Sequence, residues 1–173
     1  MITVPELAAD ALGSFLSSDM QQRFGSSNAR LTELVPYVAR LALECIGNSD
    51  ALYHNVEHTM LVTLAGRDIL RGRALLAPTK ATDYAHLIVA CLLHDIGYMR
   101  GVLSGDTADE FIIDEQGKTI GLPRGASDAA LSPYHVDRSK IFAHERLEKS
   151  PLIDARRVAD AIECTRFPPL PTS

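Results

Sequence analysis

Apolar residues along the chain recur at intervals of three and four rather than two, which predicts helices almost throughout. Leu7, Ala8, Ala11, Leu12 and Phe15 line one stripe of a helix from Pro5 to about Leu16, and Pro5 suits a first turn. After a loop rich in Gly and Ser, Leu31, Leu34, Val35, Val38, Leu41, Ala42 and Cys45 mark a second helix, kinked at Pro36 and ending near Gly47. Residues 1–48 thus read as an N-terminal helical cap. The segment Ala51 to Leu76 places Val56, Met60, Thr63, Leu64 and Ile69 at helical spacing and stops before Pro78. The next helix, Thr82 to Ile96, is apolar nearly all round, which puts it at the bundle centre, and Gly97 provides its stop. Residues Gly101 to Ala126 read as a long irregular loop with a short hairpin through Phe111 to Ile120. Two final helices follow, Pro133 to Glu148 and Asp154 to Thr165, before the run Phe167-Pro-Pro-Leu-Pro171. The expectation is an all-α bundle forming a single domain over residues 1–173, with its core in residues 51–168.

Composition narrows the function classes. A chain of 173 residues with 46% hydrophobic and 23% charged residues is globular rather than disordered or fibrous. Its 17 basic against 22 acidic residues give a net charge of -5, so no broad basic field exists for nucleic acid or anionic membranes. The apolar run Leu87 to Leu93 is far short of the ~20 residues a membrane helix needs. The N-terminal stretch, with Glu6 and Asp10, lacks the features of a secretory signal. Cys45, Cys91 and Cys164 are odd in number and widely spaced within helical patterns, which predicts buried, reduced thiols in a cytoplasmic protein. A homo-oligomer is compatible with all of this.

Two short strings carry chemistry. His94-Asp95 ends the most apolar helix, where an ionised carboxylate needs a compensating charge. A divalent cation meets that need through imidazole and carboxylate ligands; a capping His beside a salt-bridged Asp is the structural alternative. In Tyr53-His54-Asn55-Val56-Glu57-His58-Thr59, His54 and His58 stand at i and i+4, on one helix face, suited to a shared ion or to plain surface capping. Near the C-terminal third, His135 opens a helix with Arg138 three residues on, so the two face the same way, and a guanidinium there suits phosphate oxygens. His86 and His144 read as packing or surface residues. The five residues His54 to His58 also fit the inverted zinc-peptidase pattern H-x-x-E-H with Glu57 as base. That rival leaves His94-Asp95 unexplained and lacks a further acidic ligand.

Taken together, His58 followed by His94-Asp95 resembles the HD-domain metal-dependent phosphohydrolases, whose pattern is a His, a later His-Asp doublet and a distant Asp. The stretch Tyr53-His54-Asn55-x-x-His58 is similar to the motif of the cyclic nucleotide phosphodiesterases in that superfamily. Leu93-His94-Asp95-Ile96-Gly97-Tyr98 and Pro133-Tyr134-His135-Val136-Asp137-Arg138-Ser139 resemble strings of bacterial HD proteins, with Leu93 in place of a Cys. The resemblance implies an HD-type bundle holding one or two divalent ions (Mn, Fe, Zn, Ni or Mg) on His58, His94 and Asp95. It further implies His54 as the acid protonating the leaving oxygen, His135 and Arg138 as supports for a second metal or the substrate phosphate, and a small phosphate-containing substrate such as a nucleotide. The pattern's final Asp, expected in a helix after Thr165-Arg166-Phe167-Pro168, has no counterpart before Ser173, which predicts a truncated or divergent end. Asp160 and Glu163 are the substitutes within reach, with surface salt bridging as their other role. An HD-fold ligand-binding or regulatory module without catalysis is the alternative function. The loop Gly101 to Ala126, directly after His94-Asp95, reads as a lid over the metal site.

Overall fold

The computed structural model describes residues 3–167. Six α-helices order the described residues: α1 (Val4–Phe24), α2 (Ala29–Ile46), α3 (Val56–Ala74), α4 (Ala81–Leu93), α5 (His135–Leu147) and α6 (Ala155–Glu163). The fold is all-α apart from a two-stranded antiparallel hairpin, β1 (Glu110–Ile112) and β2 (Thr119–Gly121), with Phe111 opposite Ile120. Short 3-10 turns cover Ile96–Tyr98 and Asp128–Tyr134.

Local chemistry explains the boundaries. Thr3 and Glu6 form a reciprocal capping box that starts α1. The helix runs on to Phe24, well past Leu16, because Met20 is buried and Asp19 pairs with Arg67 and the Tyr84 hydroxyl in the interior. Pro36 does not divide α2, which is continuous around it, and Gly13 of α1 leaves the room that Pro36 needs. Helix α3 starts at Val56 rather than Ala51, since the Asn55 side chain accepts a hydrogen bond from the His58 N–H and takes the N-cap position.

Helix α4 is the centre expected of it, packed by α2, α3 and α6, while α1 lies on α2 and α5 on α6. Ile88, Val89 and Leu92 are wholly buried in one continuous core cluster that also takes in α1, α2, α5 and α6. Gly66 of α3 permits the close approach to α4, because a Cβ there would stand 2.7 Å from the Cys91 sulfur. His86 is buried, with Nδ1 on the Thr82 carbonyl and Nε2 accepting the Asp154 N–H, so it joins α4 to the start of α6. The cysteines are unpaired; Cys45 and Cys91 are half-buried, but Cys164 is exposed, contrary to expectation, because it falls on the outer face just after α6. No helix among the described residues is long and apolar enough to cross a membrane.

Arg138 departs most from its expected role. It is fully buried, and its five N–H groups are all engaged: Nε on the Gly97 carbonyl, Nη1 on Asp106 and the Ile112 carbonyl, Nη2 on Asp106 and the Met99 carbonyl. No donor is left for a phosphate, because the guanidinium serves as the anchor of the 101–126 segment. Asp106 holds that segment further by accepting the Ile112 N–H. With Leu103, Phe111 and Ile113 also buried, the segment is pinned to α5 rather than hung as a free flap.

Candidate metal centre

Three stretches of chain converge on one carboxylate. The N-terminal end of α3 brings His54 and His58, the turn after α4 brings His94 and Asp95, and the first residue of α5 is His135. Asp95 is 2% exposed, and its Oδ2 lies 2.7 Å from His54 Nδ1, 3.2 Å from His58 Nε2 and 3.0 Å from His94 Nε2. His135 Nε2 stands 3.9 Å from Oδ1 on the other side. No Lys or Arg pairs with Asp95 among the described residues.

Backbone and neighbours hold each ring. His54 sits just before the N-cap rather than on α3 itself, yet its ring lies 5.3 Å from that of His58. His94 is the C-cap of α4, and its Nδ1 is fixed on the Cys91 carbonyl at 2.8 Å, which leaves Nε2 for Asp95. His135 is oriented in the same way, with Nδ1 on the Ser132 carbonyl at 2.6 Å. Gly97 does not end the helix; it lets the turn touch α5, since a Cβ there would fall 2.1 Å from the His135 carbonyl oxygen. Ser139 clasps the same junction, donating to the His94 carbonyl and accepting the Gly97 N–H.

Tyr98 completes the wall. Its hydroxyl lies 2.9 Å from His54 Nε2 and its ring stacks against both His54 and His135, at centroid distances of 4.2 and 4.5 Å. Both nitrogens of His54 are therefore engaged, one on Asp95 and one on Tyr98. Sequence reasoning passed over Tyr98 and Ser139 as site residues, although both lie inside the strings quoted above; aromatic and hydroxyl residues carry no metal signature. Asp106 was invisible for a different reason, since one Asp in an acidic loop gives no sign of a buried partner.

The electrostatics follow from burial against pairing. Burial of Asp95 opposes its charge, but hydrogen bonds and charge from His94 and His54 outweigh this and pull its pKa from 3.8 to about 2. His94 is likewise desolvated, yet its contact with Asp95 raises its pKa. Burial dominates at His58 and His135 and lowers both, favouring neutral imidazoles.

The donor set fits a divalent ion. His54, His58 and Asp95 offer ligand atoms that all lie within 4.8 Å of one another, and His94 Nε2 reaches the same Asp95 oxygen. Ligands ~2.1 Å from a shared ion stand ~3.0 to ~3.4 Å apart, close to the separations about Oδ2. Asp160 is exposed and Glu163 is held by Arg166 and Lys140, so neither joins the centre. The residues from Pro168 onward, where the HD pattern continues, lie outside the described residues. Glu57, the base of the rival peptidase pattern, is exposed and its side chain bonds to nothing at the centre.

Searches of curated proteins and of solved structures return no match. A family model described as Npun_R2479-like matches residues 2–173, practically the entire sequence, and the chain belongs to the Npun_R2479-like family.

Proposed function

We propose that this chain is a metal-dependent phosphohydrolase of the HD type, acting on a phosphomonoester or phosphodiester of nucleotide-like size. The observation that carries the reading is the convergence of three imidazole nitrogens on Oδ2 of the buried Asp95, with His135 facing Oδ1. His58, His94 and Asp95 hold the ion, and His135 supports a second one or the substrate phosphate. A divalent ion bound there supplies Lewis-acid polarisation of a phosphoryl oxygen and acidifies water.

The chain's own residues do the rest. Asp95 fixes His54 through Nδ1, so the proton delivered to the leaving oxygen resides at Nε2. That nitrogen faces the Tyr98 hydroxyl, which makes Tyr98 the group that orients the donor toward the substrate. Arg138 takes no part, because all its donors serve the fold. The unpaired thiols, and the lack of a membrane-length helix among the described residues, fit a protein acting in the cytoplasm.

A second reading is an HD-type module that binds a nucleotide-like ligand without turning it over. It is favoured by one observation: among the described residues, Asp95 is the only carboxylate at the centre. The deciding experiment loads the protein with Mn and offers chromogenic aryl phosphodiesters and phosphomonoesters. The phosphohydrolase reading expects turnover that falls at least ~1000-fold in Asp95→Ala. Equal turnover in Asp95→Ala contradicts it, and nucleotide binding by metal-loaded protein without turnover supports the second reading.

A further inference from the structure

Helix α3 buries Thr59, Thr63, Gly66 and Leu70 against the bundle and leaves its opposite side to solvent. Glu57, Leu61, Ala65, Ile69 and Arg73, all exposed, follow at intervals of four and form one continuous ridge that winds obliquely from that side toward the helix end, of the kind that packs against another helix. Leu61 is 59% and Ile69 68% exposed, more than isolated surface residues at the edge of a core require. The ridge reads acid, apolar, small, apolar, base. The side chains of Glu57 and Arg73 have no hydrogen-bond or ion-pair partner among the described residues.

The order is antisymmetric in charge about Ala65, with an apolar residue on either side of it. We propose that α3 is a homodimer interface, on which a second copy of this chain packs antiparallel across a two-fold axis at Ala65. Antiparallel pairing sets Leu61 of one protomer beside Ile69 of its partner and Glu57 beside Arg73, twice over by symmetry. A parallel pairing would instead set Glu57 on Glu57 and Arg73 on Arg73. Ala65, with the smallest side chain of the ridge, lets the two helices approach at the crossing. Ridges of this four-residue spacing pack commonly, at about 50° between axes.

The ends agree with the middle. Leu52 and Tyr53 before α3 are 95% and 71% exposed, and Leu75 and Leu76 after it are 87% and 90% exposed. Antiparallel packing brings the Leu75-Leu76 end of one protomer toward the Leu52-Tyr53 end of the other. The apolar residues at both ends thus enlarge the contact toward the ~800 Å² per partner that a stable interface needs. Because the Tyr53 ring lies against His54 and His58, the proposed interface runs along the rim of the metal centre. It does not depend on what that centre does.

Sedimentation of the full chain at ~100 µM tests the proposal. The expected result is a species of about twice 18.8 kDa, reduced to one copy in Ala65→Glu, which sets two carboxylates against each other at the axis. Glu57→Arg should weaken the dimer ~10-fold or more by opposing Arg73, and the double exchange Glu57→Arg with Arg73→Glu should restore it. All three positions are exposed, so far-UV circular dichroism should be unchanged in each variant. A monomeric wild type, a dimer indifferent to Ala65→Glu, or a double exchange no better than the single one would overturn the proposal.

Discussion

Two buried charged groups sit at the junction between α5 and the turn after α4, and they are built on opposite principles. At Arg138 every donor has an acceptor: two oxygens of Asp106 and three backbone carbonyls close the set, with nothing facing solvent. At Asp95 one carboxylate meets four imidazoles, whose rings at positions 54, 58 and 135 remain about a quarter exposed. A closed set has no capacity left and serves the fold. In the open set, burial favours the neutral imidazole at His58 and His135, which then have lone pairs to offer, the property a cation site requires. The difference teaches that burial and charge alone do not mark function; unspent coordinating capacity does.

The comparison can be broken from either side. The largest effect is expected at the closed set. Arg138→Met leaves Asp106 buried without its partner and should cost about 3–5 kcal/mol of stability, read by chemical denaturation, while the folded fraction keeps its metal. Equal stability would mean that the 101–126 segment does not depend on this anchor.

At the open set, Tyr98→Phe removes only the hydroxyl on His54. It should leave fold and metal content intact and lower phosphoester turnover about 10–100-fold, with kcat falling more than KM rises. Unchanged kcat would remove Tyr98 from the proton path.

A smaller effect is expected in acid. The Asp95 pKa is depressed in the folded protein, so its contribution is present above 3.8 and is lost as pH falls toward about 2. For metal-free protein, the stability gap between wild type and Asp95→Asn should therefore be widest above pH ~4 and shrink by roughly 2 kcal/mol below it. The histidine shifts act in opposite senses: His94, raised, favours the fold below 6.5, whereas His58 and His135, lowered, cost stability as pH falls through 6.5.

Much of the fold was legible because helical periodicity and caps are local. The central α4, the hairpin around Phe111 and Ile120 and the final two helices follow from spacing and turn residues. Where the reading went astray, a distant partner decided the outcome. Helix α1 outlasts Leu16 because Asp19 finds Arg67 and Tyr84 in the interior, and His54 falls outside α3 because Asn55 takes the cap. In the candidate site, His54, His58, His94, Asp95 and His135 were all marked by residue type and are brought together. Arg138 was marked by the same logic and is not, since spacing aligned it with His135 but could not reveal Asp106, 32 residues away.

The central claim is that the cluster around Asp95 binds a divalent metal. Elemental analysis of protein purified without chelators, beside Asp95→Ala prepared in the same way, tests it most directly. The account predicts about one or two equivalents of Mn, Fe, Zn, Ni or Mg in the wild type and their loss in a variant that remains folded. Folded, metal-free wild type that takes up none of these ions on titration would contradict it.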